Sequence, residues 1–241
     1  MRRREFLLTP FALVAQTRPP ADLLARCITF PRAYTCCPQP ALARRALETG
    51  KFPHALAEGA ARTISLDTLN LVLPGRIAVF TSPAGDGMDS PFDKSVKVPL
   101  AIYAPGLLAP RTAEEILIST IDLAPTLLGL RGERVPRELQ GRNLSGLLLG
   151  KTHEPPDSVY IEGGIGTGGE WRAVIRGYDK LVMDLNGEVT HLYNLADDPD
   201  EKTNLAQDSS SRLTRDALAA LIQTWKRRVG DGYDASGLKR R

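Results

Sequence analysis

Two adjacent cysteines, a proline corner, paired arginines and a histidine fall together in TCCPQPALARRALETGKFPH, Thr35 to His54. A thiol attacks as its thiolate, and a cationic neighbour or a helix start favours that form. The stretch therefore has the composition of a nucleophile held beside an anion site. The competing reading is packing, because free cysteines are among the most buried residue types. Cys27, Cys36 and Cys37 are the three cysteines, an odd number that defines no disulfide framework. Neighbours such as Cys36 and Cys37 bridge each other only with strain. No CxxC pair and no Cys/His cluster has the spacing of a zinc site.

A second motif, Gly164-Ile165-Gly166-Thr167-Gly168-Gly169, fits the dinucleotide-binding spacing GxGxxG. That chemistry requires a helix immediately afterwards, whose N-terminus can face a pyrophosphate. WRAVIRG follows instead, a strand pattern, so a flexible hairpin loop is expected.

The elements that must position these residues are readable from their periodicity. Ala21 to Arg26 has the look of a helix end, and CITF that of a short extended segment. Leu42, Arg45, Ala46 and Thr49 fall at helical spacing, with Gly50 as a C-cap. A weaker helical pattern covers 58–71. Arg76–Ser82 and Val98–Gly106 are continuous apolar runs, as expected of strands buried on both faces. Ser119 can cap a helix carrying Ile121, Ala124, Leu127 and Leu128 on one stripe, with Pro125 tolerated in its first turns. After Gly150, four short runs with partial alternation predict an antiparallel meander. A closing amphipathic helix then shows Leu213, Leu218, Leu221, Ile222 and Trp225 on one face.

The 241 residues suffice for one sizeable core with a small satellite domain. The net charge of +3 is modest, and basic residues cluster at the two ends. No nucleic-acid footprint follows. MRRREFLLTPFALVAQ places basic residues before a short apolar run, as an export signal does, and Arg3-Arg4-Glu5-Phe6-Leu7 resembles a twin-arginine signature. The run from Phe6 to Ala15 is too short to span a bilayer. Export to a bacterial periplasm is expected, with no stable membrane span.

Five stretches in order resemble the sulfatase family of the alkaline-phosphatase-like superfamily. FPRAYTCCPQPALARRALETGKFPH is similar to the family's nucleophile segment, which ends in a TG(R/K)YPH-like turn. RIAVFTSPAGD resembles the strand ending in FTSDHGD. PFDKSVKVPLAIYAPG is similar to PYEESIRVPLIIxxPG. STIDLAPTLLGLRG with PRELQGRNLSGLLLG resembles the family's DLxPTLL and QGxSL segments, and WRAVIRGYDKLVMD with HLYNLADDPDEKTNLA its closing stretch. The likeness runs from Phe30 to Ala206. It implies a reduced alkaline-phosphatase-like α/β sheet with flanking helices, followed by a small C-terminal antiparallel subdomain with a closing helix. The expected organisation is a signal over 1–16, the α/β domain over 17–150, the subdomain and helix over 151–229, and a basic tail over 230–241.

The resemblance also implies a chemistry. In the family, a cysteine or serine within CxPxR is oxidised to formylglycine, whose hydrate attacks sulfur beside a divalent cation, usually Ca²⁺. Matching the helix and its TG turn places Arg44 on the motif's arginine and Pro40 on the nucleophile, where proline can neither be oxidised nor attack. Cys36 lies in CxPxP and would become the reactive residue only if the segment shifted by four, which misplaces Arg44. Pro83 and Ala84 stand where an acid and an imidazole or amide would ligate the cation, and Asp86 matches a later acid. Lys51 and His54 fit the solvated TGKFPH turn better than a sulfate clamp. Arg44 is thus the retained anion-site arginine and Cys36 the alternative nucleophile. No metal ligand is matched, and Ca²⁺ is expected only where the family's site is intact. Three readings stay open: a sulfuric ester hydrolase, a silent member that binds a sulfated or phosphorylated ligand (a sulfated small molecule or glycan) or a partner chain through the C-terminal subdomain, and a remnant without function.

Overall fold

The structure is a computed structural model that describes the backbone of 13–14 and all of residues 21–56, 77–85 and 88–232. The helical pattern expected over 58–71, the residue Asp86 and most of the export-signal segment lie outside the described residues.

Strand β1 (Leu13–Val14) falls within that signal segment and pairs in parallel with β4. Helix α1 (Ala21–Leu24) and strands β2 (Ile28–Thr29) and β3 (Ala33–Tyr34) follow. Helix α2 (Pro40–Thr49) ends at Gly50, whose φ of 66° is the left-handed conformation a C-cap needs. Strand β4 (Ala78–Thr81), the short helix α3 (Asp93–Val96) and strands β5 (Leu100–Tyr103), β6 (Arg111–Thr112) and β7 (Ile118–Ser119) complete the first half with helices α4 (Leu123–Leu130) and α5 (Ser145–Leu148).

The five-stranded sheet has the order β1-β4-β5-β2-β6. Val79, Leu100 and Ile102 face the larger core under α4, while Ala78, Phe80, Ala101 and Tyr103 face α1. Both faces are covered, as the continuous apolar runs require. The sheet is mixed, however. The chain leaving β4 turns back through α3, so β5 runs antiparallel to β4, and β2 antiparallel to β5. A separate two-stranded pairing of β3 with β7 carries the chain into the Thr35–Pro40 turn.

The second sheet is the expected meander, β8 (Ser158–Gly163), β9 (Trp171–Arg176), β10 (Asp179–Asp184) and β11 (Val189–Asn194), hydrogen-bonded in that order. Its inner strands alternate between two cores. Tyr160, Val174 and Leu181 face α6 (Arg212–Val229), and Val159, Ala173, Ile175 and Val182 face Tyr34, Val96 and Leu117. On α6 the buried stripe is Leu218, Ile222, Trp225 and Val229, with Leu221 half-buried. Leu213, expected on that face, is 77% exposed. Five residues before Leu218 is about 140° round the helix, which turns it to solvent. Asp231, within the stretch expected to be a basic tail, is buried and belongs to the core.

The helix after Ser119 starts through a 3₁₀ turn, Thr120–Asp122, and Pro125 sits in the first turn of α4. The Asp122 carboxylate accepts from the Ser119 N–H at 3.1 Å and the Arg142 N–H at 2.7 Å, and pairs with the Arg142 guanidinium at 2.7 Å. Arg142 in turn donates to the Ser158 carbonyl at 2.7 Å, joining the first half to the second sheet. Removing one partner of such a buried pair strands the other charge. Asp122→Ala is therefore expected to lower unfolding stability by about 3–5 kcal/mol in urea titration. Removal of the exposed Arg111–Glu115 pair should leave the midpoint where it was.

Candidate functional site

The Thr35–Pro40 turn is held from every side. Thr35 Oγ1 donates to the Cys37 carbonyl at 2.7 Å and accepts from the Cys37 N–H at 3.3 Å. The Cys36 N–H donates to Thr120 Oγ1 at 3.3 Å, and the Cys36 carbonyl accepts from the Glu162 N–H at 2.9 Å. Gln39 is extended at the helix start, and Pro40 follows as the first residue of α2, where a missing N–H costs nothing.

Cys36 and Cys37 are both fully buried. Burial pushes the Cys37 thiol up to about 12, against a smaller opposing effect of its backbone bond. Burial, with the nearby Cys37 and Glu162 charges, holds the Cys36 thiol well above the ordinary range. Both are therefore neutral thiols at physiological pH, and a neutral thiol is a poor nucleophile.

Arg44 lies on the exposed side of α2, with its Nε paired to Glu48 Oε1 at 3.0 Å. Its side chain is 52% exposed. The structure thus separates Arg44, at the surface, from the buried thiols.

His54 is not the solvated turn residue that the sequence led us to expect. It is buried in the 3₁₀ turn Pro53–Ala55, with Nδ1 2.5 Å from Glu162 Oε1 and Nε2 3.1 Å from the Val229 carbonyl oxygen. A carbonyl only accepts, so Nε2 carries a proton, and the carboxylate facing Nδ1 favours a second. Arg172, cross-strand partner of Glu162, donates from Nε to Asp231 Oδ2 at 2.6 Å, and Tyr160 donates to the same oxygen at 2.7 Å. With His54 protonated, two cations and two carboxylates balance in the core. This cluster was missed in the sequence. Its signal was a charged residue within each of two apolar strands, Glu162 in VYIEG and Arg172 in WRAVIR.

A family described as N-sulphoglucosamine sulphohydrolase, C-terminal, matches residues 90–228, more than half of the chain. The chain belongs to the sulfatase family. An endo-4-O-sulfatase of Bacteroides thetaiotaomicron is 32% identical over 100 residues, covering 36% of this chain and 20% of its own length. A Δ4,5-hexuronate-2-O-sulfatase of the same organism is 27% identical over 179 residues, covering 65% and 36%. Among solved structures, a 2-O GAG sulfatase superposes with a TM-score of 0.59 at 28% identity, covering 66% of this chain and 37% of that one. The chain thus spans little more than a third, or less, of each of these sulfatases.

The cation that the sulfatase resemblance implies needs oxygen or imidazole donors. The side chains of Pro83 and Ala84, after β4, offer none, and Ala84 is buried. His54, Glu162 and Asp231 do converge, with one ligand atom from each within 4.8 Å of the others. Here, though, the imidazole is engaged through protons on both nitrogens, and Asp231 is already neutralised by Arg172. An ion would have to displace both, so neither set fits a calcium ion as built, and no reaction step is derived through one. A cation bound only to the native chain would stabilise it by about 2.7 kcal/mol at hundredfold excess over its Kd. Millimolar calcium is expected to leave the urea midpoint of this sulfatase-family chain unmoved.

Burial alone would lower the His54 pKa, but the Glu162 bond and charge, the Asp231 charge and the Val229 carbonyl together raise it. A folded value above the unfolded one stabilises the chain fully below the unfolded pKa of about 6.5, and that stability is lost as pH rises through the folded value. The His54 contribution to the urea midpoint should therefore fall as pH rises above about 6.5, against an opposite contribution from His191, whose pKa burial lowers. In His54→Gln that portion of the slope should vanish. An unchanged slope would mean that His54 does not carry it.

Proposed function

We propose that this sulfatase-family chain does not hydrolyse sulfuric esters through the family's nucleophile, and that it binds a sulfated glycan without turning it over. The observation that carries the reading is Pro40 in the first turn of α2, at the position the family's nucleophile takes, with Cys36 sealed beneath Thr120 and Glu162. Large barrier reductions require a positioned nucleophile and charge stabilisation together, and the matched positions supply only an arginine. The ligand class is taken from the Δ4,5-hexuronate-2-O-sulfatase and the 2-O GAG sulfatase, whose names specify sulfate on a sugar. Arg44 is the residue proposed to meet the sulfate, since its half-exposed guanidinium can reach an anion while its Nε stays on the buried Glu48 carboxylate. No helix among the described residues is long and apolar enough to cross a membrane. The basic start of the chain, followed by a short apolar run, supports export to the periplasm.

Purified chain incubated with an aryl sulfate and calcium is expected to show no turnover above buffer. A rate that Cys36→Ala abolishes would overturn the first half of the proposal. Retention on immobilised heparin is expected to weaken about tenfold in Arg44→Ala, the equivalent of about 1.4 kcal/mol for one charged hydrogen bond. No retention of the parent chain, or equal retention on an unsulfated glycan, would overturn the second half.

A further inference from the structure

The glycine-rich loop between β8 and β9 is fastened to the Thr35–Pro40 turn by a single side chain. The Gln39 side chain, which makes no bond to its own helix, donates from Nε2 to the Ile165 carbonyl at 3.1 Å and accepts from the Ile165 N–H at 3.0 Å. This two-point bond imitates one rung of a β-ladder. A second fastening lies next to it, where the Gly164 N–H donates to Asp89 Oδ1 at 3.1 Å. Beyond the fastenings the loop is open. Thr167, Gly168 and Gly169 are exposed, and a Cβ added at Gly166 or Gly168 would meet nothing within 4 Å. Gly164, Gly166 and Gly168 all have positive φ, which glycine reaches without strain and which lets so short a loop hinge. Beneath the latch lies Cys37, whose Sγ is 3.7 Å from Gln39 Oε1, the oxygen that also accepts from Ile165.

We propose that residues 164–169 form a lid latched by Gln39, and that releasing the latch uncovers Cys37 and the front of α2 while leaving the fold in place. The lid does not depend on whether the chain binds or hydrolyses an ester, because Gln39, Ile165 and Cys37 meet in the chain by itself. Cys36 supplies an internal reference. It is fastened to Thr120 and Glu162, not to the loop, so opening the lid leaves it covered.

The test is iodoacetamide labelling of the full native chain, with the two thiols read separately by peptide mass spectrometry. In the parent both label slowly. In Gln39→Ala, losing two neutral hydrogen bonds should raise the population of the open loop, and with it Cys37 labelling, roughly thirtyfold. Cys36 should stay at its parental rate. Hydrogen exchange should show the Ile165 amide speeding up with Cys37, while the Val174 and Leu181 amides of the adjoining strands hold. Gln39→Glu keeps the bond from Ile165 N–H but cannot donate when ionised, so it should fall between parent and alanine variant. It also serves if Gln39→Ala fails to fold. An unchanged Cys37 rate, or Cys36 accelerating in step with Cys37, would overturn the proposal: the first leaves no latch, the second only general loosening.

Discussion

Every charge taken out of water in this protein must meet its opposite, and that demand ties the two halves together. The balance of His54 and Arg172 against Glu162 and Asp231 is the clearest case. It draws on a turn after α2, two strands of the second sheet and the residues just past α6. Lys180, fully buried on β10, makes a parallel tie to Glu201 at 2.7 Å and Asp93 at 3.0 Å. Such pairs add little net stability compared with apolar packing, yet breaking one is costly. Their effect is to select one mutual placement of turn, sheet and helix.

The same constraint explains which parts of the family pattern carry over. Gln140, from the QGxSL-like segment, accepts from the Phe52 N–H at 2.7 Å and donates to the Val229 carbonyl. Asp198 and Asn204, from the DPxExxNLA-like stretch, cap the N–H groups of Lys202, Thr203, Leu192 and Ala206. Glu201 adopts a φ of 55° and places its carboxylate on Lys180 and the Asp93 N–H. The bonds to the Phe52, Leu192 and Ala206 N–H groups hold part-buried backbone that would otherwise lack partners, and those to Lys202 and Thr203 fix an exposed turn. A chain can keep all of them and replace a nucleophile, because the α2 turn is positioned by main-chain bonds and by Thr35, Thr120 and Glu162, none of which needs a reactive group at residue 40.

The hairpin loop over Cys37 belongs to this economy of fastening. The inner strands β9 and β10 of the second sheet are fixed by ladders on both sides and by apolar side chains on both faces. The loop from Gly164 to Gly169 has neither, and its attachment falls to Gln39 and Asp89. Low local contact and glycine hinges are the physical conditions for local opening without global unfolding.

The sequence by itself determined most of the local structure: the α2 helix with its Gly50 cap, the apolar β4 and β5, the antiparallel meander and the hairpin in place of a dinucleotide motif. Those follow from periodicity and turn chemistry, which act within a few residues. The resemblance to the sulfatase motif implies that Pro40 stands where the family's nucleophile would, and proline has no side-chain heteroatom to attack with. Tertiary structure alone decided the rest. His54 reads as a solvated turn residue until Glu162, more than a hundred positions away, is brought against it. Leu213 matches an apolar stripe by composition, yet it lies about 140° round the helix from Leu218 and meets water. Asp231 sits in a basic, glycine-containing tail by sequence and in the core by structure, because Arg172 and Tyr160 await it there. Long-range charge pairing leaves no local periodic trace, so it becomes legible only once the chain has folded.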